Sequence, residues 1–169
     1  MKSLIFSNQH VEMILSGRKT MTRRLVKPPV SGYLNAAKCL SGHQHEAEAY
    51  ARPGDRIVVR ERFWKSSSGS IYFREPSYLG GPPPPYVAKA CSPLHLPWKE
   101  SRCTIEVVSC RVERLLDMPA EDVAKEGYPG TDPDPFFVCV WDKLNPKAPA
   151  STNPWVYVVE FRMLKGRWD

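Results

Sequence analysis

The chain has 169 residues, 42% of them apolar and 25% charged, a size and balance for one domain with its own core, and this excludes a wholly disordered chain. Seventeen prolines, about twice ordinary usage, exclude a fold made mainly of long helices and require many loops. The formal charge of +6 is lopsided: residues 1–75 hold 13 Lys/Arg against 6 Asp/Glu, and residues 76–169 hold 11 against 12, a bias that favours an anionic partner such as nucleic acid or a nucleotide.

In chain order, Lys2 to Ser7 is predicted as a short strand, followed by a helix capped by Ser7 or Asn8. Val11, Ile14 and Leu15 form its apolar face, and Gly17 stands where a terminating glycine belongs. Thr20 to Lys27 is extended until Pro28 and Pro29 stop it, and residues 28–54 form a polar connector. After the turn at Pro53, Gly54 and Asp55, Arg56 to Trp64 is predicted as one strand. Its odd face holds Ile57, Val59, Glu61 and Phe63, so a carboxylate falls on the apolar side. Ser66 to Ser70 is a flexible tip, and Ile71 to Arg74 closes a hairpin.

Gly80 to Pro85 reads as a rigid polyproline loop, Tyr86 to Ala90 as a strand and Pro93 to Pro97 as another loop. Cys103 to Arg114 is a long strand, bulged where its alternation changes phase at Val107 and Val108. Two helices follow, Ala120 to Glu126, ended by Gly127, and Pro135 to Leu144, with Phe136, Cys139, Val140 and Leu144 as its stripe. Trp155 to Leu164 is the last strand, with Trp155, Tyr157, Val159, Phe161 and Met163 on one face. Strands dominate, and the helices do not alternate with them, which argues against a doubly wound sheet. The expected class is α+β, mainly β with peripheral helices: one domain over 1–169, built as a small, mostly antiparallel barrel.

No apolar stretch approaches the roughly 20 residues that span a bilayer; even Phe136 to Trp141 and Trp155 to Val159 have only six and five, so no membrane partner is expected. Polar residues from Ser7 to His10 interrupt any signal-peptide core, so the expected location is the cytoplasm. Five cysteines without a C-x-x-C pair read as buried thiols in a reducing compartment. Cys39, His43 and His45, with Cys91 and His95, have the side chains for zinc but the spacing of no zinc signature, so neither a metal nor another cofactor is expected. Nothing in the sequence speaks to oligomeric state.

Chemistry concentrates in Gly17 to Arg24, GRKTMTRR. Arg18, Lys19, Thr22, Arg23 and Arg24 can grip an anion or a hydroxyl-bearing ligand, and arginine forks suit phosphate or carboxylate. A lysine kept partly dry loses proton affinity and can act as a base, with a nearby threonine hydroxyl as nucleophile or water-holder. The same residues also suit a solvated basic sheet edge.

The segment resembles the G-x-K-x-x-T-x-R signature of the ASCH domain family, PUA-like β-barrels related to RNA-binding modules. Pro53 to Glu61 is similar to that family's P-G-D strand, Ala120 to Gly127 to its E-D-x-x-x-E-G helix and Asn153 to Phe161 to its closing strand. Ser92 to Pro97 with Ser101 and Arg102 resembles a loop of longer, phage- and prophage-type members. The resemblance implies insertions near 28–52 and 65–100. It also implies an amidohydrolase that removes acetyl from N4-acetylcytidine, with Lys19, Thr22 and Glu126 catalytic and Arg24 as the signature arginine. The implied partner is a nucleoside or RNA, with DNA also open; the competing functions are a non-catalytic RNA- or DNA-binding module and a metal-independent ribonuclease.

Glu61 reads either as a further site carboxylate or as a buried ion pair with an arginine, and His95 either as a residue near the site or as a surface histidine. Trp64, Tyr72, Phe73, Tyr78 and Tyr86 are interleaved with basic residues; exposed, they would stack bases, and buried, they would be core.

Overall fold

The computed structural model describes residues 2–27, 47, 50–73, 87–128 and 135–164. The chain is α+β and mainly β, as its residue order predicts: eight strands, three helices and short 3-10 turns among the described residues. They fall into two compact units, one of residues 1–16, 56–105 and 163–169, the other of residues 17–55 and 106–162. The expected connector over 28–46, the polyproline loop at Gly80 to Pro85, Tyr78, Tyr86, Cys39, His43 and His45 lie outside the described residues.

In the first unit, β1 (Lys2–Ile5) runs parallel to β3 (Arg56–Arg60), with Lys2 opposite Ile57 and Ile5 opposite Arg60. Between β1 and the end of α1 (Asn8–Leu15), Ser7 accepts a 3.2 Å hydrogen bond from the His10 amide, as an N-cap should. The buried face of α1 is Val11, Met13 and Ile14; Leu15, expected there, is only half-buried.

The single strand predicted over Arg56 to Trp64 is two strands. β3 ends at Arg60, and β4 (Phe63–Ser66) joins a different sheet, between β5 (Ile71–Tyr72) and β6 (Val87–Cys91), antiparallel to both. The break has a local cause: the Asn8 amide takes the Arg62 carbonyl at 2.8 Å and a Glu61 oxygen at 3.1 Å, drawing those two residues out of the ladder. Nor has β3 a wet face, for Ile57, Val58 and Val59 are all buried, as parallel strands commonly are. The predicted flexible tip is a hydrogen-bonded turn, with the Ser66 amide on the Ser70 carbonyl at 2.9 Å and Gly69 at φ 91°.

In the second unit, β8 (Trp155–Leu164) lies between β7 (Thr104–Arg114) and β2 (Met21–Leu25). β2 is antiparallel to β8, with Thr22 opposite Val159, Arg23 opposite Val158 and Arg24 opposite Tyr157. One core gathers Met21, Val156 and Val158 from the strands with Val123 of α2 (Ala120–Lys125) and Phe137 and Trp141 of α3 (Pro135–Leu144).

Two predicted faces change here. In α3, Phe137 and Trp141 are buried, whereas Cys139 and Leu144 of the expected stripe are exposed. The first two turns are apolar all round, so periodicity alone picks no face, and the largest rings take the core. In β8, Val156 and Val158 are buried along with Tyr157, Val159 and Phe161. The helices cover one face, and Tyr50 stacks on Tyr157 at 4.2 Å on the other. The expectation of buried thiols holds for Cys103 and Cys110, but Cys91 is half-buried and Cys139 exposed. Among the described residues no helix is long and apolar enough to cross a membrane.

Candidate active site

The site grows from the end of a short helix. α2 closes with Glu126 still near helical geometry and Gly127 at φ 94°, a left-handed position that glycine takes without strain. Helix ends leave carbonyls without intrahelical partners. Here the segment ahead of β2 takes two of them: the Thr20 amide donates to the Lys125 carbonyl at 2.9 Å, and the Lys19 ammonium to the Glu126 carbonyl at 2.9 Å. The Phe161 amide donates to the Thr20 carbonyl at 2.8 Å, pinning the same segment to β8.

Lys19 is thereby drawn inside, 2% exposed, with its Nζ 2.5 Å from Glu126 Oε2; Glu126 is 3% exposed and 107 residues away in sequence. Burial pushes the Lys19 pKa below the ordinary lysine value; the Glu126 carboxylate opposes that shift, and the charges of Arg24 and Arg23 add to it.

Arg23, 3% exposed, is bound by three carboxylates: Glu113 Oε1 at 2.7 Å, Asp122 Oδ2 at 2.8 Å and Glu126 Oε1 at 3.2 Å. Arg111 extends the network to Glu113 at 2.9 Å and to Asp122. The Arg23 guanidinium, expected to grip substrate, is thus engaged in holding Glu126 from the side away from Lys19.

Strand alternation sets Thr22 and Arg24 on the face of β2 opposite to Met21 and Arg23. Thr22 is buried, and Arg24 is half-buried. Burial lowers the Arg24 pKa, with Tyr50 and Glu126 opposing. The mutual influence of Arg24, Lys19 and Glu126 puts the signature arginine within electrostatic reach of the amine–carboxylate pair. Arg18, just ahead, is exposed.

Glu61 and His95 belong to the other unit. Glu61, 1% exposed, is gripped bidentately by Arg102, Nε to Oε1 at 2.7 Å and Nη2 to Oε2 at 2.6 Å. Of its two readings, the ion pair is the one present. Burial pushes the nearby Cys103 thiol up to about 12, so it is no nucleophile at neutral pH. His95 sits exposed on a 3-10 turn (Pro93–His95).

Sequence reasoning missed Arg111, Glu113, Asp122 and Tyr50. Arg111 and Glu113 carried a faint signal, being two apart on a strand and so on one face. Asp122 resembled an ordinary first-turn acid of a helix.

Asp122 supplies a pH test. Burial alone would raise its pKa, but Arg23 and Arg111 outweigh burial and hold it below the ordinary aspartate value. A carboxyl more acidic folded than unfolded gives stability that is full above the unfolded value of about 3.9 and is lost as pH falls through the folded one. Asp122→Asn is therefore expected to flatten the fall of Tm on the acid side of about pH 4. Melts between neutral and acid pH check it; an unchanged acid limb would place the acid sensitivity elsewhere.

No protein-family model and no curated protein matches the chain. Three solved structures are similar to it. Hypothetical protein PH0355 covers 97% of this chain and 100% of its own, at 15% identity and TM-score 0.49. An ASCH domain from Lactobacillus crispatus covers 92% of this chain and 70% of its own, at 15% identity and TM-score 0.43. Protein EF3133 from Enterococcus faecalis, of family DUF984, covers 97% and 81%, at 10% identity and TM-score 0.45. With likenesses of this order, the chemistry rests on the site's own geometry.

Proposed function

We propose that the chain is an ASCH-type domain over 1–169 that hydrolyses the acetyl amide of N4-acetylcytidine, as the free nucleoside or within RNA. The observation that carries this reading is the buried Lys19–Glu126 pair, 2.5 Å apart, which joins the segment that resembles the ASCH signature to the helix that resembles that family's E-D-x-x-x-E-G helix.

Amide hydrolysis needs a base for the attacking hydroxyl, a partner for the oxyanion and a proton for the departing amine. Lys19, with its proton affinity lowered by burial, takes the proton of the Thr22 hydroxyl or of a water that Thr22 holds. The oxygen bonds to the acetyl carbon, and Arg24, on the same strand face as Thr22, meets the negative charge. When the carbon–N4 bond breaks, the ammonium of Lys19 returns its proton to N4. Cytidine and acetate leave, directly if water attacks, or after a second water cleaves an acetyl-Thr22 ester. Glu126 orients the amine, Arg23 orients Glu126, and exposed Arg18 is placed to meet a phosphate of a polynucleotide substrate.

Incubating the purified protein with N4-acetylcytidine is expected to release equal amounts of cytidine and acetate. Salt-sensitive RNA binding without acetate release would replace this reading with a non-catalytic binding module. Shortened RNA products without acetate would replace it with a ribonuclease.

A further inference from the structure

The whole formal charge of the chain resides in one of its two units. Residues 1–16, 56–105 and 163–169 hold eleven Lys/Arg against five Asp/Glu, a balance of +6, whereas the other unit holds thirteen of each. Within the charged unit stands the β5–β4–β6 sheet, in the segment read above as an insertion. Across β4, Trp64 is directly opposite Tyr72 of β5 on one side and Ala90 of β6 on the other. Residues directly opposite in an antiparallel pair share a face, so these three form one row.

That row faces outward. Tyr72 is 37% exposed, Trp64 is partly exposed and Ala90 is exposed, whereas Phe63, on the other face of β4, is buried. Ala90 offers only a methyl beside Trp64. Arg62, two residues before Trp64, is exposed. The next ring, Phe73, is half-buried and carries the Arg102 guanidinium at 5.0 Å from its centroid. An outward aromatic pair on a strongly basic unit matches a ligand with flat apolar faces and repeated negative charge. Single-stranded polynucleotide has both; in a duplex the base faces are already stacked.

We infer that the outward face of the β5–β4–β6 sheet, centred on Trp64 and Tyr72, is a stacking platform for single-stranded RNA. The choice of RNA over DNA rests on the cytidine reading of the Lys19–Glu126 site; the platform itself does not.

Fluorescence anisotropy with a labelled single-stranded RNA tests it. Wild type is expected to bind in a salt-dependent way, and a duplex of the same sequence to compete poorly. Tyr72→Ala is expected to weaken binding about tenfold, the scale of one lost base–aromatic stack, with the far-ultraviolet circular dichroism unchanged. Tyr72→Phe keeps the ring and is expected to bind like wild type, which separates stacking from any loss of fold. Lys19→Ala is expected to keep RNA binding while losing deacetylation, and Tyr72→Ala to keep deacetylation of the free nucleoside while binding RNA more weakly, so the two proposals fail separately. Wild-type affinity in Tyr72→Ala, or equal competition by the duplex, would overturn the platform. Tighter binding of single-stranded DNA than of RNA of the same sequence would overturn the choice of RNA.

Discussion

Lys19→Ala is expected to lower kcat/KM for N4-acetylcytidine by about a thousandfold, the range a positioned general base supplies. The variant removes the amine that touches two oxygens of Glu126, the carbonyl at 2.9 Å and Oε2 at 2.5 Å. Lys19→Arg separates charge from base chemistry, because a guanidinium keeps the positive charge but does not release its proton at working pH. It is expected to be nearly as inactive as the alanine variant. Activity within about tenfold of wild type in either would remove Lys19 from the mechanism.

The pH profile adds a readout that a purely structural role would not move. A base that works unprotonated gives an activity that rises with pH through its own pKa. Burial places that limb below the ordinary lysine value, and the Glu126 carboxylate is the main force holding it up. Glu126→Gln removes the negative charge and keeps the shape. The limb is therefore expected to move to lower pH, even as the maximal rate falls through poorer positioning. A limb that stays in place would mean that another group titrates.

Arg23→Met is expected to destabilise the fold by about 3–5 kcal/mol, the cost of leaving buried charge without its partner. Arg23 touches Glu113, Asp122 and Glu126 together. Asp122 and Glu113 keep Arg111, but among the described residues Glu126 keeps only the Lys19 ammonium as a charged partner. Urea denaturation measures the loss, and thermal melts should show it as roughly 6–20 °C for a chain of this size. Arg23→Lys is expected to recover only part, because one ammonium cannot reproduce a planar fork that meets three carboxylates. A loss under about 1 kcal/mol in Arg23→Met would mean that the network is dispensable. Of the two variants, Lys19→Ala should act mainly on rate and Arg23→Met mainly on stability, since only the latter takes a partner from three carboxylates.

Much of the local structure was legible in residue order because its causes are local. The Ser7 cap, the glycines that end the first two helices and the strand from Thr104 to Arg114 need only neighbours in sequence. Lys19 and Glu126 could be nominated from motif resemblance. Their contact could not, since alternation and periodicity say nothing across 107 residues.

The misread elements share one cause. The interruption at Glu61 and Arg62 follows from Asn8, 53 and 54 residues upstream. The buried face of α3 follows from which rings fit the core beside Val156 and Val158. Arg23 looked like a hand for substrate because its partners stand 90 to 103 positions further along the chain. Composition, capping and strand periodicity thus determined a mainly β, loop-rich chain with a basic bias. The tertiary structure decided which charges face ligand and which face one another, because a buried charge must find its counter-charge wherever folding brings one within reach.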